Sequence, residues 1–213
     1  MDFSFSPEQE SLRKKLIAFA NESLNPGAAE REKAAVFSRD LWKRCADAGI
    51  LGLAVPEEFG GQGHDPVTVA AAMEALGYAC EDAGFLFAMG AHMFACAAPL
   101  VKFGTAEQKA RFLPALCDGT LVAVNSMTEP EAGSDMGAIA ATAERCGDVY
   151  KISGEKTMGT NGPVADLALI FAATAPEKGC TKRSPGSSST RDRRASPSPR
   201  RSRRSGTAAR RSA

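Results

Sequence analysis

The six cysteines of this 213-residue chain form no CxxC pair, and its two histidines have no cysteine or carboxylate at metal-ligand spacing. A zinc centre and a disulfide framework are therefore not expected, and no residue is assigned to a metal. The cysteines sit scattered in apolar segments, as free buried thiols do, which points to a reducing, cytoplasmic setting. The opening Met1-Asp2-Phe3-Ser4-Phe5-Ser6 lacks the basic start and apolar run of a signal peptide. No Asp, Glu, Lys or Arg occurs from Ala83 to Val101, about the length that crosses a bilayer. This stretch is rich in Ala and Gly and carries His92 and Pro99, so a buried helix of a bundle is expected and no membrane partner. From Cys180 onward there is no Val, Ile, Leu, Met, Phe, Tyr or Trp.

Charge is as uneven as hydrophobicity. Residues 1–179 hold 15 Lys and Arg against 24 Asp and Glu, whereas 180–213 hold 11 basic residues and the single acid Asp192. The net charge of +1 thus combines an acidic part at −9 with a basic one at +10. With nothing to bury, 180–213 is expected to be a disordered Arg/Ser-rich tail. Its abrupt onset reads best as a shifted reading frame or aberrant terminus. The competing reading is a salt-sensitive nucleic-acid-binding tail, and a nucleic-acid partner is not expected.

What is present reads first as helix. Ser6-Pro7-Glu8-Gln9 combines an N-cap, a first-turn proline and a capping box, and Leu12, Leu16, Phe19 and Ala20 follow at helical spacing to a stop near Asn25-Pro26-Gly27. Ser38 or Asp40 caps a second helix through Trp42 and Cys45. Asp65-Pro66 opens a third over Val67–Cys80, and the apolar segment from Phe85 to Gly104 is a fourth. Thr105-Ala106-Glu107-Gln108, another capping box, opens a fifth that runs to Asp118-Gly119. After Gly119 the period changes: Leu121–Val124, Val149–Ile152 and Leu167–Phe171 read as strands, with turns at Cys146-Gly147-Asp148 and Ser153-Gly154-Glu155. The expected fold is α+β: an all-α helical bundle (1–120), an incomplete antiparallel β domain (121–179) and the tail.

Chemistry concentrates in Asn125-Ser126-Met127-Thr128-Glu129-Pro130-Glu131-Ala132-Gly133-Ser134-Asp135. A strand ending in hydroxyls, a glycine and free backbone N–H groups can meet the edge of a flat heterocycle or a phosphate. On spacing alone the commoner meaning is an ordinary turn. Thr-Glu-Pro-x-Ala-Gly-Ser-Asp at 128–135, however, resembles the signature of acyl-CoA dehydrogenases. Gly154-Glu155-Lys156-Thr157-Met158-Gly159-Thr160-Asn161-Gly162 is similar to that family's second flavin strand, Val55–Gly61 to its early loop, and Gly104–Lys109 with Phe112-Leu113-Pro114 to the helix before its β domain.

The resemblance implies FAD held between helical and β domains, and oxidation of an acyl-CoA to the 2,3-enoyl thioester by loss of an α proton and transfer of a β hydride to flavin N5. It places Asn125, Ser126, Met127 and Thr128 along the flavin ring, and Gly133 and Ser134 near the phosphates, with Ser134 also near the substrate's CoA. Met158, Gly159 and Thr160 would face the ring, Thr160 near N5. It also implies an electron-transferring flavoprotein as acceptor and a homo-oligomer.

Many members have an aromatic residue where Asn125 stands and Trp where Met158 stands, which leaves the substrate class open. The family's glutamate base and later helical domain have no counterpart in 180–213. No catalytic residue is therefore assigned, and an incomplete, inactive form is expected; a non-catalytic flavin- or CoA-binding or homologue-binding role is the alternative. Glu129 and Glu131 read as loop-fixing. His64 and His92 read as structural, although His92 is also a candidate for the wall of an acyl tunnel.

Overall fold

The computed structural model describes residues 4–146, 149–174 and 188–190. Helix α1 (Pro7–Phe19) begins at the Ser6 cap: Gln9 N–H donates to Ser6 Oγ at 3.2 Å and Ser6 N–H donates to Gln9 Oε1 at 3.0 Å. The helix widens into a π turn (Ala20–Leu24) and stops at Asn25, ahead of Gly27. A short helix that the sequence pattern did not reveal, α2 (Ala28–Ala34), precedes α3 (Arg39–Asp47), which Ser38 caps rather than Asp40. Helix α4 (Pro66–Ala79) starts on the Asp65 cap and packs along α1, where Gln9 Nε2 donates to Thr68 Oγ1 and Arg13 pairs with Glu74.

The apolar segment runs on as α5 (Ala83–His92), a π turn (Met93–Ala97) and α6 (Ala98–Phe103). Ala83–Phe103 is long and apolar enough to cross a membrane. In the fold its inner side is core: Phe85, Ala88, Met89, His92, Met93, Cys96, Ala97 and Leu100 are buried. Helix α7 (Ala106–Cys117), opened by the Thr105–Gln108 capping box, completes the bundle. Trp42, Leu24, Ile50, Leu76 and Met89 form its fully buried centre.

Strand β1 (Ala123–Ser126) starts two residues later than the hydrophobic run. Polar, half-exposed β2 (Thr142–Cys146) was not legible in the sequence; it pairs antiparallel with β3 (Val149–Ser153). The expected turn residues Gly147 and Asp148 between them lie outside the described residues. Strand β4 (Leu167–Ile170) pairs with β1 in parallel, Ala123 opposite Leu167 and Ser126 opposite Ile170. The expected wholly antiparallel arrangement thus holds for β2–β3 but not here. The chain between Met127 and Asp166 is a crossover long enough to carry the β2–β3 hairpin and return in the original direction.

Ser188–Thr190 forms β5, antiparallel to β4. The structureless tail expected from Cys180 therefore does not hold for these three residues, because a strand edge offers backbone hydrogen bonds whatever side chains approach it. The rest of that tail lies outside the described residues.

Candidate active site

The signature loop is built on a buried ion pair. Lys156 Nζ lies 2.7 Å from Glu129 Oε1 and donates to Met127 O at 3.0 Å. The same carboxylate accepts the N–H groups of Ala140 at 2.7 Å and Ala141 at 2.9 Å. Burial by itself raises the carboxyl's pKa, but the Lys156 hydrogen bond and charge and the two backbone donors outweigh it and hold the group below its ordinary value. Glu129 is therefore an ionised anchor, as the loop-fixing reading expected. Thr157 N–H donates to Thr128 O at 2.9 Å, so the 128–135 loop and the 154–162 segment run side by side.

Beyond this anchor the loop opens outward. Gly133, Ser134 and Asp135 are exposed, and a side-chain carbon added at Gly133 would meet nothing within 4 Å. Asp135 Oδ1 accepts from Gly137 N–H at 2.9 Å, which closes the loop into a short 3-10 turn.

Met158 stands at φ 56°, in the left-handed region, with 87% of its surface exposed. An unbranched L residue accepts this backbone at a cost of about 1–2 kcal/mol. Gly159 allows the turn to lie against β1: a Cβ there would come within 3.1 Å of Val124 Cγ2. Thr160 is half-buried, and Asn161 is buried at φ 72°.

The expected flavin residues divide between two sides of β1. Ser126 and Gly159, with Val124, Ala168 and Ile170, line a cleft of about 580 Å³. Asn125 faces the other way, and its Nδ2 donates to Ala95 O in the π turn at 2.8 Å. Met127 packs against Ala132, Ile139 and Ala141 beneath the loop. Thr128, Gly133, Ser134, Met158 and Thr160 are not among the residues lining that cleft.

Sequence reasoning read His92 as structural but did not show that it holds β1 in place, and it missed Asp166. His92, fully buried, takes the Ala123 N–H at Nδ1 (3.1 Å) and donates from Nε2 to Leu116 O (3.1 Å). These partners assign the neutral, Nε2-protonated ring. Burial lowers its pKa to about 4, against a smaller opposing effect of the Leu116 bond. Its ring stands edge-on to Trp42 at 4.9 Å. The tunnel-wall candidacy of His92 is thereby corrected: both ring nitrogens are engaged inside the core, in the structural role also expected for it. Asp166 adds a third tie, accepting from Val122 N–H and from Arg39 of α3. Burial raises the thiols of Cys45 and Cys96 to about 12, so they are packing groups rather than nucleophiles.

Residues 6–120 match the family described as Acyl-CoA dehydrogenase, N-terminal domain, and residues 125–194 match its middle domain. The chain belongs to the acyl-CoA dehydrogenase family. Among curated relatives, the L-prolyl-[peptidyl-carrier protein] dehydrogenase of Pseudomonas fluorescens is 40% identical over 180 residues, covering 84% of this chain and 47% of its own length. The short-chain-specific acyl-CoA dehydrogenase of Clostridium acetobutylicum is 37% identical over 179 residues, again 84% of this chain and 47% of that protein.

The solved complex of PigA with FAD and proline superposes with a TM-score of 0.81 at 38% identity, covering 84% of this chain and 47% of that one. Butyryl-CoA dehydrogenase from Megasphaera elsdenii gives 0.76 at 33%, with 84% and 47% covered. The chain spans about half the length of the curated relatives it matches. The relatives are oxidoreductases, FAD is the cofactor of this family, and the helical-bundle-then-sheet architecture is the family's.

Proposed function

We propose that this chain supplies the bundle and flavin-contacting strand of an FAD-dependent dehydrogenase that forms a carbon–carbon double bond beside the carbonyl of an acyl thioester. The observation that carries this reading is the paired arrangement of the 128–135 loop and the 157–160 turn. Glu129 and Lys156 fix their bases, while Gly133, Ser134 and Met158 stay open to a ligand.

The exposed loop suits a flavin nucleotide. Gly133 leaves room for close backbone approach, and the Ser134 hydroxyl is a donor at the same edge, a combination that accepts phosphate oxygens. Met127 and Thr128, which follow β1, and Gly159 and Thr160 of the turn would border the ring, with Met158 covering its face. Asn125 and Ser126 point to opposite sides of β1, so only one of the two would meet the ring directly. Ser134 would also meet the substrate's phosphopantetheine arm. Bound FAD would supply the hydride acceptor, and the loop and turn residues would position it. Glu129 is committed to Lys156 and two amides, so it is not the base that takes the α proton. An electron-transferring flavoprotein is the proposed acceptor, the reducing cytoplasm the proposed compartment, and self-assembly the proposed quaternary behaviour. The buried free thiols support the compartment.

A second reading concerns the carrier of the thioester. Two curated relatives at 40% and 38% identity are L-prolyl-[peptidyl-carrier protein] dehydrogenases, and the solved prolyl acyl carrier protein oxidase AnaB is 44% identical. An aminoacyl thioester on a carrier protein is therefore favoured over a fatty acyl-CoA. A titration of the purified chain with FAD, followed by absorbance and flavin fluorescence, tests the cofactor reading: saturable quenching is expected, and unperturbed flavin at the highest protein concentration overturns it. Anaerobic bleaching of the bound flavin by prolyl-pantetheine or by butyryl-CoA then discriminates the carriers and shows whether the chain turns over alone.

A further inference from the structure

Strand β1 is an edge strand among the described residues, with β4 on one side only. The peptide groups of even-numbered residues in and just before it face β4: Val122 O accepts from Leu167 N–H, and Ser126 O accepts from Phe171 N–H. The peptide groups of Ala123 therefore point away from the sheet, where a strand edge would otherwise be left without partners in a buried place. Side chains take both of them. His92 Nδ1 accepts the Ala123 N–H, and Asn161 Nδ2 donates to Ala123 O at 3.2 Å.

The same Asn161 Nδ2 donates its second hydrogen to Ala88 O of α5 at 3.0 Å. One amide thus joins three parts of the fold: the turn that carries Met158, Gly159 and Thr160, strand β1 that leads into Met127 and Thr128, and helix α5 of the bundle.

We infer that Asn161 is a positioning residue, which sets the distance between the Met158–Thr160 turn and strand β1 and so shapes the flavin shelf without touching the cofactor. The inference rests on the flavin reading above. Its residue type follows from the demands of the place. The backbone at φ 72° favours Gly or Asn, and two carbonyl oxygens require two N–H donors on one short side chain. Asp would keep the shape and turn a carboxylate toward both carbonyls. Gly would keep the backbone and delete the bridge.

The full chain carrying Asn161→Gly, and separately Asn161→Asp, is to be compared with the unaltered chain by FAD titration, visible circular dichroism of bound flavin, and hydrogen exchange of residues 157–164. The expected result is FAD affinity weaker by about tenfold, a changed flavin dichroic band and faster exchange in that segment, with the far-UV helical signal retained. Variants that bind FAD within about twofold of the unaltered chain overturn the inference. Loss of the helical signal in both variants also overturns it, because Asn161 would then support the whole fold. If the unaltered chain itself fails to bind FAD, the flavin reading falls and takes this role with it, a result distinct from either variant outcome.

Discussion

Glu129 and Lys156 meet at 2.7 Å with only 7% and 15% of their side chains exposed, and between them they hold three backbone groups under the signature loop, the N–H groups of Ala140 and Ala141 and the carbonyl of Met127. Removing one partner leaves a buried charge uncompensated, which costs about 3–5 kcal/mol. Glu129→Gln and Lys156→Met alone are each expected to lower the unfolding free energy measured in urea by about that amount, and the double variant by less than the sum. Equal, additive losses in a double-mutant cycle would show that the two do not act as a pair.

The pair also sets an acid limit. The Glu129 carboxyl is held below its ordinary value, so its stabilising effect is complete above the unfolded carboxylate pKa of about 4.3 and is lost as pH falls through the folded value. His92 acts earlier. Its pKa drops from 6.5 in the open chain to about 4 in the fold, so the unfolded state binds the proton first. Full stability is expected above pH 6.5, with a loss on the order of 3 kcal/mol as pH falls to about 4. His92→Gln keeps one donor and one acceptor for Leu116 O and Ala123 N–H and does not titrate. Urea denaturation of this variant across the same range should be nearly flat, and an unchanged pH slope would remove His92 as its source.

At Met158 the backbone and the proposed function pull in opposite directions. Met158→Gly relieves the left-handed backbone and is expected to raise stability by up to about 1 kcal/mol, measured by denaturant unfolding. The same change removes the exposed side chain proposed to cover the flavin, and FAD affinity is expected to fall. A variant both less stable and equally able to bind FAD would contradict both halves.

The capping boxes allow a local test. Thr105→Ala removes the hydroxyl that accepts Gln108 N–H at 3.2 Å and is expected to cost about 1 kcal/mol. Thermal unfolding monitored at the helical signal reads this, with Thr105→Ser as the variant that restores it.

These four cases also mark what a sequence makes visible. Caps at Ser6, Asp65 and Thr105 are interactions across two or three residues, so their letters stand together, and α1, α4 and α7 begin where those letters predict. Helix α2 escaped because Gly27 caps it with no side-chain bond, and its Ala/Glu/Arg/Lys run has no apolar period. Strand β2, with Glu144, Arg145 and Cys146 exposed, lacks a hydrophobic alternation.

The signature at 128–135 was legible as a motif, yet what holds it was not. Lys156 lies 27 residues from Glu129, His92 31 from Ala123, and Asn161 73 from Ala88. The His92 and Asn161 pairs follow from the packing of β1 and the neighbouring turn onto α5, and the Lys156 pair from the 154–162 segment lying beside the loop, tertiary events with no local spacing. The parallel pairing of β1 with β4 belongs to the same class, since it depends on where a long crossover returns.

The central claim is that FAD lies against the 128–135 loop and the 157–160 turn. Hydrogen exchange of the full chain with and without FAD locates the cofactor directly. Protection is expected at residues 125–135 and 157–162, with little change at the exposed starts of α1 and α7. FAD binding that leaves those two segments exchanging as before would contradict the account.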